Sequence, residues 1–385
     1  VIDIDIYHTE EDKPSYNKGL FFHTDHFCEA ATATHRCNSI ATKKKKNLRD
    51  YGGGPGYDHI YTKGLLYFYF MTGDAQARES FLDLVSWAIN GLDSPNTLVE
   101  FMEWVVKDLL KWLINRQRGT DELTSYVFDG PGRPSGNVLK VLLDAFILTN
   151  DDSYLQRAET LIANCIHPED NIEARKLLNP NSRWMYTIFL QALGEYLDVK
   201  CELGQQDYMF EFARRTLLKY ADWMLSNEYP FLDQPELLDN PNFATRAAQD
   251  TRKCGVLLVA SKYADANMSN LLRNKAEFFF SKSMSSLFSL KTRDVTRVLA
   301  ILLQQGSIYS FFKQHHQHCP GYLQSFEFGS PPARGIAWNI ANRLMVLLRI
   351  LRFLSLRREF RYFKERLRSL LYVIRERYHK NYKKE

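Results

Sequence analysis

From residue 60 onward, apolar positions recur at spacings of three and four, and short polar breaks separate the runs, so the chain is predicted to be built of amphipathic helices. GLLYFYFMTGDAQARESFLDLVSWAIN, residues 64–90, reads as a hairpin in which Thr72-Gly73-Asp74 stops one helix and caps the next. VLLDAFILTNDDSYLQRAETLIANCI, residues 141–166, repeats it with Thr149-Asn150-Asp151 at the turn. Residues 189–225 and 255–284 read as looser copies. A lone hairpin cannot bury its apolar face, so repeated hairpins must stack, as an open solenoid or as a ring of inner and outer helices. The unequal connections, with Gly- and Pro-bearing insertions at 41–56, 117–136 and 228–243, favour the ring over the solenoid; an irregular helical bundle is the alternative. The predicted fold is thus all-α, helical hairpins closing into an (α/α) toroid behind a short extended N-terminal segment. In this division residues 1–16 form an arm, 17–334 the toroid, and 335–385 a basic helical hairpin packed on it.

Two stretches depart from the hairpin pattern. The opening VIDIDIY alternates as a β-strand or extended arm would, and a chain starting at Val1 reads as a fragment or processed form with an upstream domain missing. Residues 336–378 read as two long helices. In the second, Phe360, Phe363, Leu367, Leu370, Leu371 and Ile374 form an apolar stripe opposite a run of arginines, which is expected to be a solvated basic face over a packed stripe rather than a membrane or nucleic-acid surface.

Charge sharpens that picture. The chain of 385 residues carries 50 Lys and Arg against 45 Asp and Glu, a net of +5 that identifies no nucleic-acid binder. Between Arg349 and Glu385, however, stand 13 basic and four acidic residues, which leaves the rest of the chain slightly acidic. No run of about 18 apolar residues is free of charge, so no membrane span is expected. The six cysteines are scattered without a CxxC pair and read as small buried hydrophobes.

Candidate chemistry gathers near the N-terminus. Tyr7, His8, His23, Asp25, His26, His35, Arg36, Asp58, His59 and Tyr61 bring five of the ten histidines into the first 60 residues. A helix beginning near Asn17 would set His23 and His26 on one face beside Asp25, and imidazole next to a carboxylate is a proton-transfer arrangement. Structural histidines bonded to loop carbonyls are the plain alternative. No cofactor is expected; the runner-up is zinc or another divalent cation at His23, His26, His35 and His59, although the spacing fits no HExxH or HxH signature. His315, His316, His318 and Cys319 read as a surface helix end. KKKKNLRDYGGGPG, residues 43–56, is a mouth loop that fits neither phosphate-binding glycine motif, and no GxSxG elbow occurs. Arg133 to Asn137, Arg183 to Tyr186 and Gln249 to Lys253 each sit at or just before a predicted helix start. If the three face one mouth, the cleft holds Arg133, Asn137, Trp184, Tyr186, Asp250, Arg252 and Lys253; salt bridges between hairpins are the competing role for each arginine.

GLFFHTDHFCEAATATHR (19–36), GGPGYDHIYTKGLLYFYFMTGD (53–74) and AQDTRK (248–253) resemble segments of the (α/α)-toroid carbohydrate-active proteins, polysaccharide lyases of the heparinase II/III and alginate-lyase kind and their bacterial relatives. The resemblance spans about two thirds of the chain and is most specific over the first 75 residues. It implies β-elimination on a uronate-containing polysaccharide or oligosaccharide: Asn137, Arg133 or Arg36 neutralising the carboxylate, His26 or His23 as base, Tyr61 or Tyr186 as acid, Trp184 stacked on a sugar. His59, Asp250, Arg252 and Lys253 would complete the substrate site, and a periplasmic or secreted location would follow. Two other readings stand beside it: a glycoside hydrolase using Asp25 and Asp58 as paired carboxylates, and a non-catalytic helical-repeat scaffold.

Overall fold

The computed structural model describes residues 1–3, 5–8, 15–21, 55–117, 128, 130–239, 243–290, 296–315, 326–331 and 336–381. They form twelve α-helices: α1 (Lys63–Thr72), α2 (Ala75–Leu92), α3 (Leu98–Gln117), α4 (Arg133–Thr149), α5 (Asp152–Cys165), α6 (Tyr186–Glu202), α7 (Tyr208–Asn227), α8 (Phe243–Tyr263), α9 (Ala266–Ser289), α10 (Thr296–Gln314), α11 (Ile336–Arg352) and α12 (Leu356–Asn381). The all-helical expectation holds, and no named strand occurs among the described residues.

Contacts group the chain into two units, residues 1–129 with 332–385, and residues 130–331, a division that cuts across the expected 17–334 domain. In the second unit α4, α6, α8 and α10 pack side by side in that order, while α5, α7 and α9 each pack on the helix before them. Of this inner row α4, α6 and α8 are largely buried: Val138, Leu142, Phe189, Leu193, Tyr196, Val256 and Ala260 have no exposed surface, whereas Leu299 and Leu303 of α10 are exposed. α4 and α6 meet so closely at Gly136 that a Cβ there would lie 2.8 Å from the Phe189 backbone.

The four hairpins read from the sequence are α1/α2, α4/α5, α6/α7 and α8/α9. Each second helix begins on an aspartate whose carboxylate accepts a backbone N–H of its first turn: Asp74 from Ala77, Asp151 from Ser153, Asp207 from Phe210 and Asp265 from Met268. In the first two the turns match bond for bond. Thr72 donates to the Phe68 carbonyl and accepts from Asp74 N–H; Thr149 donates to the Ala145 carbonyl and accepts from Asp151 N–H. Gly73 and Asn150 between them are left-handed, at φ 70° and 53°, the conformation that ends a helix and that Gly and Asn tolerate best.

In the first unit α1 and α2 pair, and α3 carries both α11 and α12. Trp87 of α2 stacks on Tyr57 at 4.3 Å and donates to the Ser15 carbonyl. Two expectations are corrected here. The described residues of VIDIDIY form no named strand: Asp5 N–H turns back to the Val1 carbonyl, and Ile6 makes an isolated bridge to Leu20. Nor does a helix start near Asn17, because Ser15 to Lys18 form a turn and Lys18 stands at φ 68°, outside the helical region.

Candidate functional site

His23, Asp25, His26, His35 and Arg36 lie outside the described residues. Of the remaining N-terminal candidates, Tyr7 is buried with its ring edge-on to Tyr16, and His8 donates through Nε2 to the Ile2 carbonyl, which are structural positions. Asp58, His59 and Tyr61 remain together. A 3-10 turn over Tyr57–His59 presents Asp58 to solvent, and His59 Nδ1 stands 3.1 Å from the hydroxyl of the exposed Tyr61. An imidazole and a phenol in hydrogen-bond contact can pass a proton between them, which gives this pair the chemistry of an acid–base couple. Among the described residues, no group of three or more His, Cys, Asp and Glu is placed to hold a metal ion. His315 stacks on Phe311 and bonds its carbonyl; His316, His318 and Cys319 fall outside the described residues.

The second unit brings its candidates to the starts of α4 and α6. Ser135 donates to the Gly130 carbonyl and accepts from Gly132 N–H, which fixes the first turn of α4 at the expected place. Arg133 opens that turn and lays its guanidinium over the Trp184 indole, 5.0 Å from the ring centroid, with both residues half-buried. Asn137, one turn further along the same side, is 6% exposed. The segment Gln249 to Lys253 is differently placed from the expectation. α8 begins at Phe243, so these residues lie two turns inside it, because FATRAA continues the helix upstream. Arg252 reaches Gln191 of α6 and Gln304 of α10, at 3.4 and 3.3 Å, and so spans three helices of the inner row.

Tyr186, Asp250 and Lys253 do meet, but in the interior. The Lys253 ammonium sits 2.7 Å from Glu228, 3.2 Å from Asp250 and 3.7 Å from the Phe231 ring centroid, and it donates to the Tyr229 carbonyl. Tyr186 donates to the other Glu228 oxygen at 2.7 Å, and Asp250 accepts from Phe231 N–H at 3.0 Å. None of the four polar side chains is more than 7% exposed. Burial pushes Asp250 up to about 6 despite the adjacent ammonium, and pushes the Tyr186 hydroxyl well above its ordinary range, with Glu228 adding to the effect. Burial pulls Lys253 down, yet Asp250 and Glu228 outweigh it and hold the ammonium above its usual value. The network ties the start of α6, the end of α7 and the middle of α8 into one buried joint.

Glu228 completes that joint without having stood out in the sequence, since it follows α7 in a segment with neither periodicity nor motif. A second joint went equally unmarked. Arg175 donates to Asp170 and to the Cys165 carbonyl, and Tyr220 donates to Asp170. His167 beside them accepts from Glu169 N–H at Nδ1 and contacts the Phe328 carbonyl through Nε2, which sets the orientation of its ring. Ion pairs between neighbouring inner helices, Lys140 to Glu195 and Lys262 to Asp198, fill the bridging role weighed for the arginines.

No known protein family, curated protein or solved structure matches the chain.

Proposed function

We propose that the chain is a carbohydrate-active protein whose hairpins close into an (α/α) toroid, and that it binds a uronate-containing glycan and cleaves it by β-elimination. The observation that carries this reading is the Arg133–Trp184 pair at the starts of α4 and α6. An indole with a guanidinium over one of its faces combines an aromatic surface for a sugar ring with a fixed positive charge for its carboxylate, and Asn137 adds an amide one turn along. Neutralising that carboxylate acidifies the C5 proton, which is the requirement of β-elimination. His26 or His23 remains the proposed base and Tyr61 the proposed acid. The enzyme would act in a periplasmic or secreted setting.

The test is a panel of acidic polysaccharides followed by the ultraviolet absorbance of the unsaturated product. Activity that survives intact in Trp184→Ala and Arg133→Gln would refute the proposed subsite, and activity that survives His26→Ala would remove that base. New reducing ends without unsaturation would instead favour hydrolysis by Asp25 and Asp58.

A second reading is favoured by a specific observation: Tyr186, Asp250 and Lys253 are engaged with one another and with Glu228 inside the protein. Such a joint suits a helical-repeat scaffold that docks a partner chain. Failure of every glycan to bind or react, with the fold intact, would select it.

A further inference from the structure

The side of α12 that carries its apolar stripe is not the side that holds it to the protein. Three polar residues make the attachment: Glu359 accepts the Leu98 and Val99 N–H groups at the start of α3, Glu365 accepts the Ser15 hydroxyl at 2.7 Å, and Arg366 pairs with Glu103 at 2.9 Å. α11 is held likewise, by Arg343 on Asp108 and by Arg349 on the Asp93 and Pro95 carbonyls. Turned away from these contacts, Phe360, Phe363, Leu367 and Leu371 are 66, 53, 43 and 56% exposed. The expected packed stripe is therefore corrected: the polar bonds take the inward position, and these four residues of the stripe face out. Leu356 at the start of α12, with Phe353 and Leu354 just before it, extends the exposed apolar surface toward α11.

We propose that this surface is a docking site for an anionic lipid bilayer, with α12 lying in the plane of the headgroups. At 100° per residue, Phe360, Phe363, Leu367 and Leu371 fall within one sector, and Arg357, Arg361, Lys364 and Arg368 fall along one margin of it. Arg357, Lys364 and Arg368 are exposed. Phenylalanine and leucine flanked by arginine and lysine is the composition of helices that rest at a membrane interface, where apolar side chains enter the acyl boundary and basic stems reach phosphate. The excess of 13 basic over four acidic residues from Arg349 onward supplies attraction to acidic headgroups. It also opposes a second copy on the same face, since two such stripes would bring like charges together. No helix among the described residues is long and apolar enough to cross a membrane, so the attachment is to the surface. This proposal is independent of the glycan reading.

Flotation of the full chain with vesicles tests it. The protein is expected to float with mixed phosphatidylcholine–phosphatidylglycerol vesicles, to remain behind with phosphatidylcholine alone, and to be released by added salt. Replacing Arg357, Lys364 and Arg368 by Gln should weaken partitioning about 100-fold, given roughly fivefold per cationic side chain. Phe360→Ser with Leu367→Ser should abolish it, with circular dichroism unchanged because both residues are exposed. Equal binding to both vesicle types, or none to either, overturns the proposal. So does a dimer dissociated by Phe360→Ser, or duplex DNA binding without vesicle binding. The salt dependence of the unaltered protein decides the matter if a variant fails to fold.

Discussion

Replacing Lys253 by Met removes the one cation of the joint between α6, α7 and α8 while keeping most of its volume. At an effective dielectric near 20, an ammonium attracts a carboxylate at 2.7 Å by about 6 kcal/mol and one at 3.2 Å by about 5 kcal/mol. Desolvation offsets most of that attraction, and the net cost of deleting one partner of a buried pair is about 3–5 kcal/mol, because the carboxylates left behind stay buried and uncompensated. Against a domain stability of about 5–15 kcal/mol the second unit should become marginal. The cost should also depend on pH. Asp250 has a folded pKa of about 6, above its ordinary 3.8, so the folded state binds this proton more tightly than the unfolded state. Its contribution to stability is therefore full at low pH and declines as pH rises from about 4 through about 6. Without the ammonium the folded pKa climbs further and the decline extends to higher pH. The deficit of Lys253→Met should thus be largest near pH 8 and smaller near pH 5, where Asp250 is neutral; Glu228 keeps it from vanishing. Urea unfolding at both pH values, with hydrogen exchange in α6 and α8 to follow the second unit alone, measures it. A loss under about 1 kcal/mol, or a deficit that grows on acidification, would refute the account.

Three further outcomes follow from the same packing. Asp74→Ala removes an N-cap acceptor and should lower stability by about 1 kcal/mol, and Asp151→Ala should lower the urea midpoint in the same direction; a change within error would show that the caps are redundant. Gly136→Ala forces a methyl to within 2.8 Å of the Phe189 backbone and should cost about 1–3 kcal/mol, with faster amide exchange where α4 meets α6. Burial pushes the thiols of Cys165 and Cys254 up to about 12, so a disulfide reagent at neutral pH should leave both unmodified until urea unfolds the second unit; rapid labelling of either in the folded protein would contradict their burial.

Local signals were the legible ones. The turn Thr-x-Asp announces its structure because every bond it makes lies within six residues, and both copies formed as read. The starts of α4 and α6 were legible for the same reason, and they brought Arg133 against Trp184. The start of α8 was not, since nothing local stops the helix between Phe243 and Gln249, and the extra turns carry Asp250 and Lys253 from an expected mouth into the core. A lysine in a helix ordinarily signals solvent. Lys253 is buried only because Glu228, 25 residues earlier, and Asp250 converge on it, and convergence across helices leaves no periodic trace.

α12 shows the same limit from the other side. Its period reveals an apolar face and a basic margin, yet a helix has two ways to lie on a protein, and periodicity does not say which face turns in. That choice rests with Glu359, Glu365 and Arg366, whose partners Leu98, Ser15 and Glu103 are more than 250 residues away. The usual rule, that the apolar face packs inward, supplied the expectation, and three long-range polar contacts reversed it. An inward polar attachment holds the helix in place while leaving its apolar residues available. Arg366→Glu should therefore loosen α12 from α3 through like charge on Glu103 and let the stripe fold inward, lowering vesicle binding although Phe360, Phe363 and Leu367 are all retained. Binding undiminished in that variant, with the helix still formed, would mean that the attachment to α3 does not orient the apolar face.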